Sequence, residues 1–487
     1  MKRFFAYITI VPIAAAVIVA ACSPKLTYSD MMMPCRYTQL AKEESGTGNI
    51  PFEWWRAFGD PVLDTLISKA LHRNRNLAVA ASRIEQARAN LVVARAAYLP
   101  SFGFDRSFGA DYNYTSKDKI EQAYSVEPTL SWEISLFGVL RNTARAAKAS
   151  ALSYEWAYFN TGLSLSAEVA TTYFTILEYK RDLDIAKRSH TLRSESAALT
   201  DSMFRYGMTD GVALEQARSL VFSAQADISQ YERAIDQSIK SLNTLLGSTE
   251  DVISADSLDC VAGLRYRTIE IPAGIPADLL YRRPDIMQTY YDVQQAAAQA
   301  HVARAERFPS ISLTVSGGVA GNTLKSLVSG NPWIWSAAAS IAEPIFAFGK
   351  LRNRERAAIE NYNQSLYSHE QTILNALSEV ETALTDLHTY RTQTEVYARY
   401  VDSNSKIATM TDAMFRSGMK DYLSVIDAER TYYESQMQLA NLVAERNIAY
   451  VNLIKALGGG WGEADPAEIE RFMNDDSTGT PDKKICR

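Results

Sequence analysis

The sequence has little of what metal sites, disulfide scaffolds and common catalytic centres require. Its 487 residues include only four cysteines and five histidines, and the histidines are scattered along the chain without metal-ligand spacing. A glycine-rich loop that would cradle phosphates is missing, and so is a Gly-x-Ser-x-Gly motif. We therefore predict that the protein is not an enzyme and that it has no catalytic residues, no metal site and no bound cofactor.

An excess of positive charge and a second long apolar run are also missing. Fifty basic residues stand against 56 acidic ones, which gives a net charge of −6, and no basic block stands out. This charge balance disfavours a nucleic-acid partner. After residue 21, no stretch approaches the ~18 uncharged apolar residues of a transmembrane helix. Apolar residues make up 47% and charged residues 22% of the chain, which excludes a disordered or collagen-like protein.

The N-terminus resembles that of an exported bacterial lipoprotein. Two basic residues precede a mostly apolar run over 4–21, which is the layout of a signal peptide. The run ends in Ala20-Ala21-Cys22, where Cys22 would carry the lipid and begin the mature chain. By similarity to lipoproteins, Ser23 at the next position indicates export to the outer membrane of a Gram-negative bacterium. The alternative is an uncleaved membrane anchor, which the shortness of the run and the lack of a charged stop disfavour.

The body of the chain is an internal duplication. Four motifs recur, the first at an offset of 209 residues and the other three at an offset of 211. Between Pro100 and Gly138 the copies therefore differ in length by two residues, and about 110 residues after this point align without a gap. Constant length indicates packed rods, because loops tolerate insertions and packed helices do not. The four pairs begin at Ala94 and Ala303, Phe137 and Phe348, Met203 and Met414, and Leu246 and Leu457.

Long proline-free stretches predict long helices in both copies. Proline is missing from 129–271 and from 345–465, and helix-forming residues dominate both stretches. In the second copy, apolar residues recur every seven positions from Leu366 to Leu387, which indicates coiled-coil packing. We predict that each copy holds a helix of about 65 residues, a reversal and a shorter return helix. The reversals lie at 205–210 and 416–421, and the return helices end at Gly247 and Gly458.

Two segments of each copy alternate between apolar and polar residues. They lie at 102–114 and 125–136 in the first copy, and at 310–316 and, more weakly, 333–341 in the second. This alternation predicts β-strands with one apolar and one polar face, and their length of ~12 residues matches the span of a membrane barrel. A half-buried hairpin in a soluble sheet is the alternative. On the polar face we expect acids that line a water-filled lumen, namely Asp105, Asp111, Glu127 and Glu133.

Four strands cannot close a barrel in a membrane, where open sheet edges are not tolerated. Several copies of the chain must therefore share one barrel. Two copies would give eight strands and a filled interior, whereas three give twelve and four give sixteen, either of which leaves an aqueous lumen. The strand count alone does not decide between three copies and four.

Three further motifs carry a resemblance to a known family. They are Trp54-Trp55-Arg56-Ala57-Phe58-Gly59-Asp60-Pro61, Arg83-Ile84-Glu85-Gln86-Ala87-Arg88 and Gly274-Ile275-Pro276-Ala277-Asp278-Leu279-Leu280-Tyr281-Arg282-Arg283-Pro284-Asp285-Ile286. With the duplication, they make nearly all of the mature chain resemble the TolC-like outer membrane factors in their lipoprotein branch. The resemblance implies a mainly α-helical homotrimer with a membrane β-barrel portion. Its parts would be a twelve-stranded barrel, a long periplasmic α-helical barrel and a mixed equatorial region.

The resemblance also implies a function and its site residues. The protein would be a passive outer-membrane exit duct for efflux, partnered by a periplasmic adaptor and an inner-membrane pump. Asp427 matches an aspartate that lines the periplasmic constriction in family members, whereas a second acid of some members is Ser424 here. On spacing alone, Asp427 is an ordinary solvated helix charge. Two turns resemble adaptor-docking tips, the first with Arg205, Gly207 and Met208 and the second with Arg416, Gly418 and Met419.

The duplication and the resemblance together divide the chain into six segments. They are a signal peptide at 1–21, a lipidated equatorial segment at 22–60, a first repeat at 61–247 with a hairpin about 101–137, a linker at 248–283, a second repeat at 284–458 with a hairpin about 310–348, and an equatorial tail at 459–487. Cys260 and Cys486 each follow the end of a return helix, so a disulfide between them is a hypothesis. The sequence does not fix the connectivity of these two residues and Cys35.

A structural function is the second hypothesis, and the sequence leaves it open. A lipoprotein tether that spans the periplasm without a pore would account for the helices and the lipid, but not for four amphipathic strands. The cargo, whether drug, metal or another solute, is not encoded here, because selectivity in such systems lies mostly in the pump. The class of pump is open for the same reason.

Overall fold

The chain divides into two compact units. A computed structural model describes residues 26, 34, 50–112, 120–249, 279–329 and 332–460. The first unit contains the described parts of 81–156 and 287–372, and the second contains those of 32–80, 157–286 and 373–487. Each copy of the duplication contributes to both units, so the repeat does not produce two separate domains.

The first unit contains a four-stranded antiparallel sheet with the order β1-β2-β3-β4. Phe102 pairs with Leu130 and Leu130 with Val315, so the apolar residues of neighbouring strands share one face. The opposite face carries hydroxyl pairs, such as Ser312 and Ser340 with 2.7 Å between their Oγ atoms. The strands are β1 at Ser101–Tyr112, β2 at Ile120–Ile134, β3 at Ser310–Gly321 and β4 at Trp333–Ala342.

The strands confirm the predicted alternation and correct its boundaries. The first strand ends at Tyr112 instead of 114, and the second extends from Ile120 to Ile134 instead of 125–136. The register places Asp105 directly opposite Glu127 on the polar face. Two like charges in this position repel each other unless water surrounds them, so this face is suited to water. The side chain of Asp111 lies outside the described part of the structure.

Each copy contains one helix of 67 residues followed by one of 35 residues. The prediction of about 65 residues for the long helices is therefore confirmed. None of the helices in the described ranges has the length and hydropathy that crossing a bilayer requires. The helices are α1 at Pro61–Arg73, α2 at Arg75–Ala96, α3 at Val139–Arg205, α4 at Gly211–Leu245, α5 at Pro284–Ala305, α6 at Lys350–Arg416 and α7 at Tyr422–Ala456.

The tryptophan motif near the N-terminus builds the core of the second unit. Trp54 and Trp55 are buried in a short 3₁₀ helix and pack edge to face, with 5.8 Å between their ring centroids. Asp60, the residue before the last of the motif, caps α1, because its Oδ1 accepts from the Val62 N–H at 2.9 Å. Its Oδ2 accepts from the buried Tyr173 hydroxyl at 2.6 Å, which ties the start of α1 to α3.

The arginine-proline motif ties the start of the second copy to the end of the last helix. The Arg283 guanidinium is buried and donates to the Ala456 carbonyl at 2.9 Å. It also pairs with Asp285 and with Glu379, each at 2.7 Å. Because removing either acid would leave a buried cation partly unpaired, these motif residues have a structural role.

Several predictions concern residues outside the described ranges. These are the signal peptide, the lipidation residue Cys22, the remaining cysteines Cys35, Cys260 and Cys486, most of the 22–60 segment, most of the 248–283 linker and the tail after residue 460. They stay predictions.

Candidate functional site at the helical tips

Both long helices end in the same kind of turn, as the repeated glycine predicts. Gly207 and Gly418 have φ angles of 70° and 74°, in the left-handed region. In the first turn the Met208 N–H donates to the Met203 carbonyl at 2.8 Å, and the Gly207 N–H to that of Phe204 at 2.9 Å. This pair of bonds is a Schellman motif, and the second turn repeats it with two bonds of 2.9 Å.

The two turns, called the first tip (205–210) and the second tip (416–421), present apolar side chains to solvent. Met208 is 65% exposed and Met419 is 72% exposed. Apart from the glycine itself and its two chain neighbours, no heavy atom of the described residues lies within 4 Å of where a Cβ would stand on either glycine. Flexible, exposed methionine next to open backbone is suited to contact with another protein.

The arginine of the first tip belongs to a network of charges. Arg205 pairs with Asp201 at 2.7 Å, and Asp201 also lies 3.3 Å from Arg218. Arg218 in turn pairs with Glu215 at 2.8 Å. Asp201 is therefore shared between α3 and α4, and it links the two sides of the first tip.

The second tip has a simpler arrangement of charges. Arg416 pairs with Asp412 one turn earlier on the same helix, at 2.8 Å. Asp421 accepts a hydrogen bond from the Ser424 hydroxyl, and this bond holds the pKa of the Asp421 carboxyl below its usual range. No described side chain of the long helix is linked by an ion pair to the return helix at this tip.

Asp427 lies on α7 nine residues beyond Gly418. Its carboxylate is 58% exposed and pairs with Arg430 on the next turn at 3.2 Å. An exposed pair of this kind contributes only about 0–1 kcal/mol to stability, so the carboxylate is free to exchange partners. Arg430 was not predicted from the sequence, although the i,i+3 spacing of opposite charges on a helix is a signal that could have identified it.

A small apolar cluster beneath the tips joins the two copies. Phe415, Tyr422 and Val425 from the second copy pack with Ala217 from the first. The Ser196 hydroxyl on α3 donates to the Tyr422 hydroxyl at 3.3 Å, and burial raises the pKa of this tyrosine. The second tip is therefore anchored to the first-copy helices through a buried aromatic side chain.

Buried polar contacts continue this connection along α7. The Tyr433 hydroxyl donates to Asp227 on α4 at 3.2 Å, and the Arg193 guanidinium lies 5.2 Å from the Tyr433 ring centroid. Arg193 also donates to the Leu220 carbonyl at 3.3 Å, and burial raises the pKa of Glu429 nearby. Sequence reasoning missed the contacts of Tyr433 with Asp227 and Arg193, because residues more than 200 positions apart show no common pattern in one sequence.

The structure brings the predicted tip residues together in two groups. Arg205, Gly207 and Met208 share one turn, and Arg416, Gly418 and Met419 share the other. Asp427 lies on the return helix that follows the second turn. Charged pairs, exposed methionines and an exposed carboxylate at helical ends can bind a protein or bias the passage of ions.

Comparisons with known proteins agree with this architecture. The family described as outer membrane efflux protein matches residues 66–248 and 275–459. The solvent efflux pump outer membrane protein SrpC of Pseudomonas putida is 34% identical over 83% of this chain and 86% of its own. The cation efflux system protein CusC of Escherichia coli is 30% identical over 93% of this chain and 98% of its own.

A solved structure extends the likeness to the fold. The crystal structure of the Campylobacter jejuni CmeC outer membrane channel superimposes with a TM-score of 0.85 at 24% identity, and covers 94% of this chain and 99% of that one. The two matched segments of the family coincide with the two copies of the duplication. The chain therefore belongs to the outer membrane efflux protein family and is an outer-membrane channel of an efflux system.

Proposed function

We propose that three copies of the chain form one exit duct that crosses the outer membrane and reaches through the periplasm. The observation that supports this proposal is the open four-stranded sheet. Its order leaves one edge of β1 and one edge of β4 without a partner strand among the described residues. In lipid, an unpaired strand edge leaves backbone groups without hydrogen bonds, at a cost of several kcal/mol for each group.

Pairing of β1 in one copy with β4 in the next removes every open edge. Three copies give a twelve-stranded barrel, which is wide enough for a water-filled interior. The exposed apolar face of the sheet then meets lipid, and the serines and acids of the opposite face line the lumen. Phe102 and Trp335, which are exposed in the single chain, illustrate this outward face.

The second tip forms the periplasmic gate in this proposal. Around a threefold axis, three copies of Asp427 repel one another and make the opening selective for cations. Arg430 lies beside each carboxylate as a partner of opposite charge, at 3.2 Å in the single chain. Widening the opening separates the three negative charges, so the closed state stays closed only while the helices beneath the tip hold it.

The exposed tips provide the docking surface for a periplasmic adaptor, which links the duct to an inner-membrane pump. The arginine, glycine and methionine of each tip offer cationic and adaptable apolar contacts. The two relatives are named for different cargoes, one for solvents and the other for cations. Because one kind of duct serves both, the cargo of this chain is whatever solute its own pump delivers. A lipid on Cys22 anchors each copy, and a disulfide between Cys260 and Cys486 would close the equatorial region.

Single-channel recording in planar bilayers tests the proposed duct and gate. We expect small, cation-selective conductance for the wild type, and roughly twofold weaker cation selectivity without a gain in conductance for Asp427→Asn, because the neutral side chains neither attract cations nor repel one another. Asp402→Asn is a matched control, because Asp402 is similarly exposed at 63% and also pairs with a cation, but lies in the body of α6. Absence of conductance in all three proteins would favour the tether.

A further inference from the structure

The junctions between helices and strands in the first unit carry a concentration of positive charge. Four segments, 88–100, 135–148, 299–309 and 343–356, contain eleven Lys or Arg residues and three Asp or Glu. Their net charge is thus +8, in a chain whose total charge is −6. The duplication explains part of this pattern, because three arginines of each copy occupy equivalent positions.

All four junctions lie at the same end of the sheet. Ser101 pairs with Ser131, Ile134 with Ile311, and Ser310 with Ala342, so the strand ends nearest to α2, α3, α5 and α6 are aligned. The basic segments attached to these strand ends therefore form one layer just below the sheet. A layer of this kind faces the membrane boundary if the sheet spans the membrane.

Seven of these cations have no acidic partner among the described residues. They are Arg95, Arg141, Arg145, Lys148, Lys350, Arg352 and Arg356, which we call the basic belt. All seven are exposed, and none forms an ion pair with another residue of the described ranges. The acids Glu306 and Glu355 in the same layer already pair with Arg354, Arg304 and Arg307. The belt thus presents charge that the described part of the chain does not neutralise.

Exposed aromatic side chains lie at the same end of the sheet as the basic belt, and they indicate a membrane boundary there. The Trp132 indole N–H donates to the Tyr98 carbonyl at 2.9 Å. Phe346 and Phe348 are exposed, with 4.6 Å between their ring centroids. Exposed aromatic residues of this kind form girdles where a membrane barrel meets the headgroups. The belt begins directly beyond this girdle.

The spacing along the helices agrees with the thickness of the headgroup layer. Arg141 and Arg352 lie two residues inside α3 and α6, a rise of about 3 Å. Arg145 and Arg356 lie one turn further, about 9 Å from the helix start. Headgroups extend roughly 5–8 Å beyond the hydrocarbon, and the Debye length is about 8 Å at physiological salt. These four cations therefore lie within reach of lipid phosphates.

A groove adds a more enclosed position to this surface. It has a volume of about 540 Å³ between α3 and α5, and Arg145, Lys148, His301 and Tyr291 are among its lining residues. Burial lowers the pKa of His301, and the nearby Arg145 and Arg304 lower it further. Such a lining, with two cations and no acid among the described residues, is suited to an anion.

We propose that the basic belt binds the phosphate groups of anionic phospholipids in the periplasmic leaflet of the outer membrane. This inference rests on the placement of the sheet in the membrane, and it is independent of the gate and of the adaptor. The belt would hold the junction of barrel and helices at the membrane surface, because each cation gains by staying near the lipid phosphates.

Spin-labelled lipids test this inference on the full-length protein reconstituted in phosphatidylethanolamine vesicles. Electron spin resonance measures how strongly labelled phosphatidylglycerol associates with the protein, relative to labelled phosphatidylethanolamine. We expect the wild type to prefer phosphatidylglycerol, and the preference to fall as NaCl is raised. One cation near an anionic surface is worth about a fivefold change in partition, so R141Q/R145Q/R352Q/R356Q should lower the preference about fivefold or more.

A matched variant distinguishes the effect of losing the belt from the effect of removing four positive charges anywhere on the protein. Arg75, Arg83, Arg233 and Arg399 are also exposed and lie on helices away from the strand junctions, and the R75Q/R83Q/R233Q/R399Q protein should keep the wild-type preference. The double variants R141Q/R145Q and R352Q/R356Q should each lose part of the preference for phosphatidylglycerol. They can be measured even if the quadruple variant does not assemble.

Two results would overturn the inference. Inorganic phosphate that displaces the labelled lipid far better than NaCl of the same ionic strength would indicate a discrete phosphate site instead of a membrane surface. An unchanged lipid preference in the belt variant, together with a changed ion selectivity of the channel, would place these arginines in the aqueous interior.

Discussion

The helical hairpins of the two copies have the same dimensions but different chemistry at their tips. In both, 67 residues lead to a Schellman turn and 35 residues return. At the first tip, Asp210 caps the return helix by accepting from the Ala213 N–H at 2.9 Å. At the second tip, Asp421 makes no hydrogen bond of capping geometry to the backbone, and its carboxylate accepts from the Ser424 hydroxyl instead.

The two tips also differ in their ion pairs. Asp201 joins α3 to α4 through Arg218, whereas Asp412 pairs only with Arg416 on its own helix among the described residues. Asp427 and Arg430 on α7 correspond by position to the uncharged Gln216 and Ser219 on α4. Duplication thus preserved the backbone geometry of the rods, whereas the tips diverged. An ion pair and a helix cap link the two helices of the first hairpin at its tip, while the second hairpin carries the acid and is more loosely tied there, with neither link among the described residues.

The largest expected effects on stability come from substituting the glycines that recur at equivalent positions in the two copies. A Cβ at Gly247 would lie 2.5 Å from the Arg73 carbonyl oxygen, whereas at Gly207 it would meet nothing of the described structure within 4 Å. Both glycines have positive φ. We expect Gly247→Ala to cost about 3 kcal/mol or more and Gly207→Ala about 1 kcal/mol. Thermal unfolding of the reconstituted protein measures both, and equal losses would contradict the role given to the backbone contact.

A buried acid distinguishes the first copy from the second. Asp182 on α3 is 6% exposed, its Oδ1 accepts no hydrogen bond from the described residues, and the equivalent residue on α6 is the exposed Gln393. Burial, with Glu178 nearby, raises the pKa of Asp182 to about 7 from an ordinary 3.8. The folded state therefore holds a proton that the unfolded chain loses, and stability falls as pH rises from about 4 to 7.

Removing this carboxyl should restore the stability that is lost at high pH. We expect Asp182→Asn to raise the melting temperature by about 5 °C at pH 8, and by less at pH 5. The matched change Gln393→Asn in the second copy should leave the melting temperature unchanged at both pH values. A shift for Asp182→Asn that is the same at pH 5 and pH 8 would show that the carboxyl is not protonated in the folded state.

The smallest effect concerns the helix caps of the two tips. Asp210→Ala removes a capping bond and should cost about 1 kcal/mol of local stability, because the Ala213 N–H loses its partner. Asp421→Ala should cost less, since its carboxylate caps no backbone N–H of the described helix. Hydrogen exchange in the first turns of α4 and α7 measures this difference, and the account of a loosely tied second tip fails if both substitutions speed exchange equally.

Much of the fold could be predicted, because each long element follows a local rule. Proline placement and apolar periodicity identified the rods within two residues of α3 and α6, and the alternation located all four strands of the described sheet. The start of β2 at Ile120 was missed, because Gln122 on the apolar face and Ala123 on the polar face break the alternation. The division into two units was also unpredictable, since it cuts across both copies of the repeat.

The candidate site was less accessible to sequence reasoning. The tip glycines were predictable because a reversal between two helices needs a left-handed residue. The contact of Tyr433 with Asp227 joins residues 206 positions apart and leaves no local signal. The role proposed for Asp427 comes from the family resemblance, because an exposed aspartate on a helix carries no information about a pore by itself.

The shared barrel is the central claim, and electron cryomicroscopy of the detergent-solubilised protein tests it most directly. We predict particles of three copies around a central channel, with β1 of each copy paired to β4 of the next. A stable single subunit without a central hole would contradict the claim, because the open sheet would then exist without the partner strands that lipid demands.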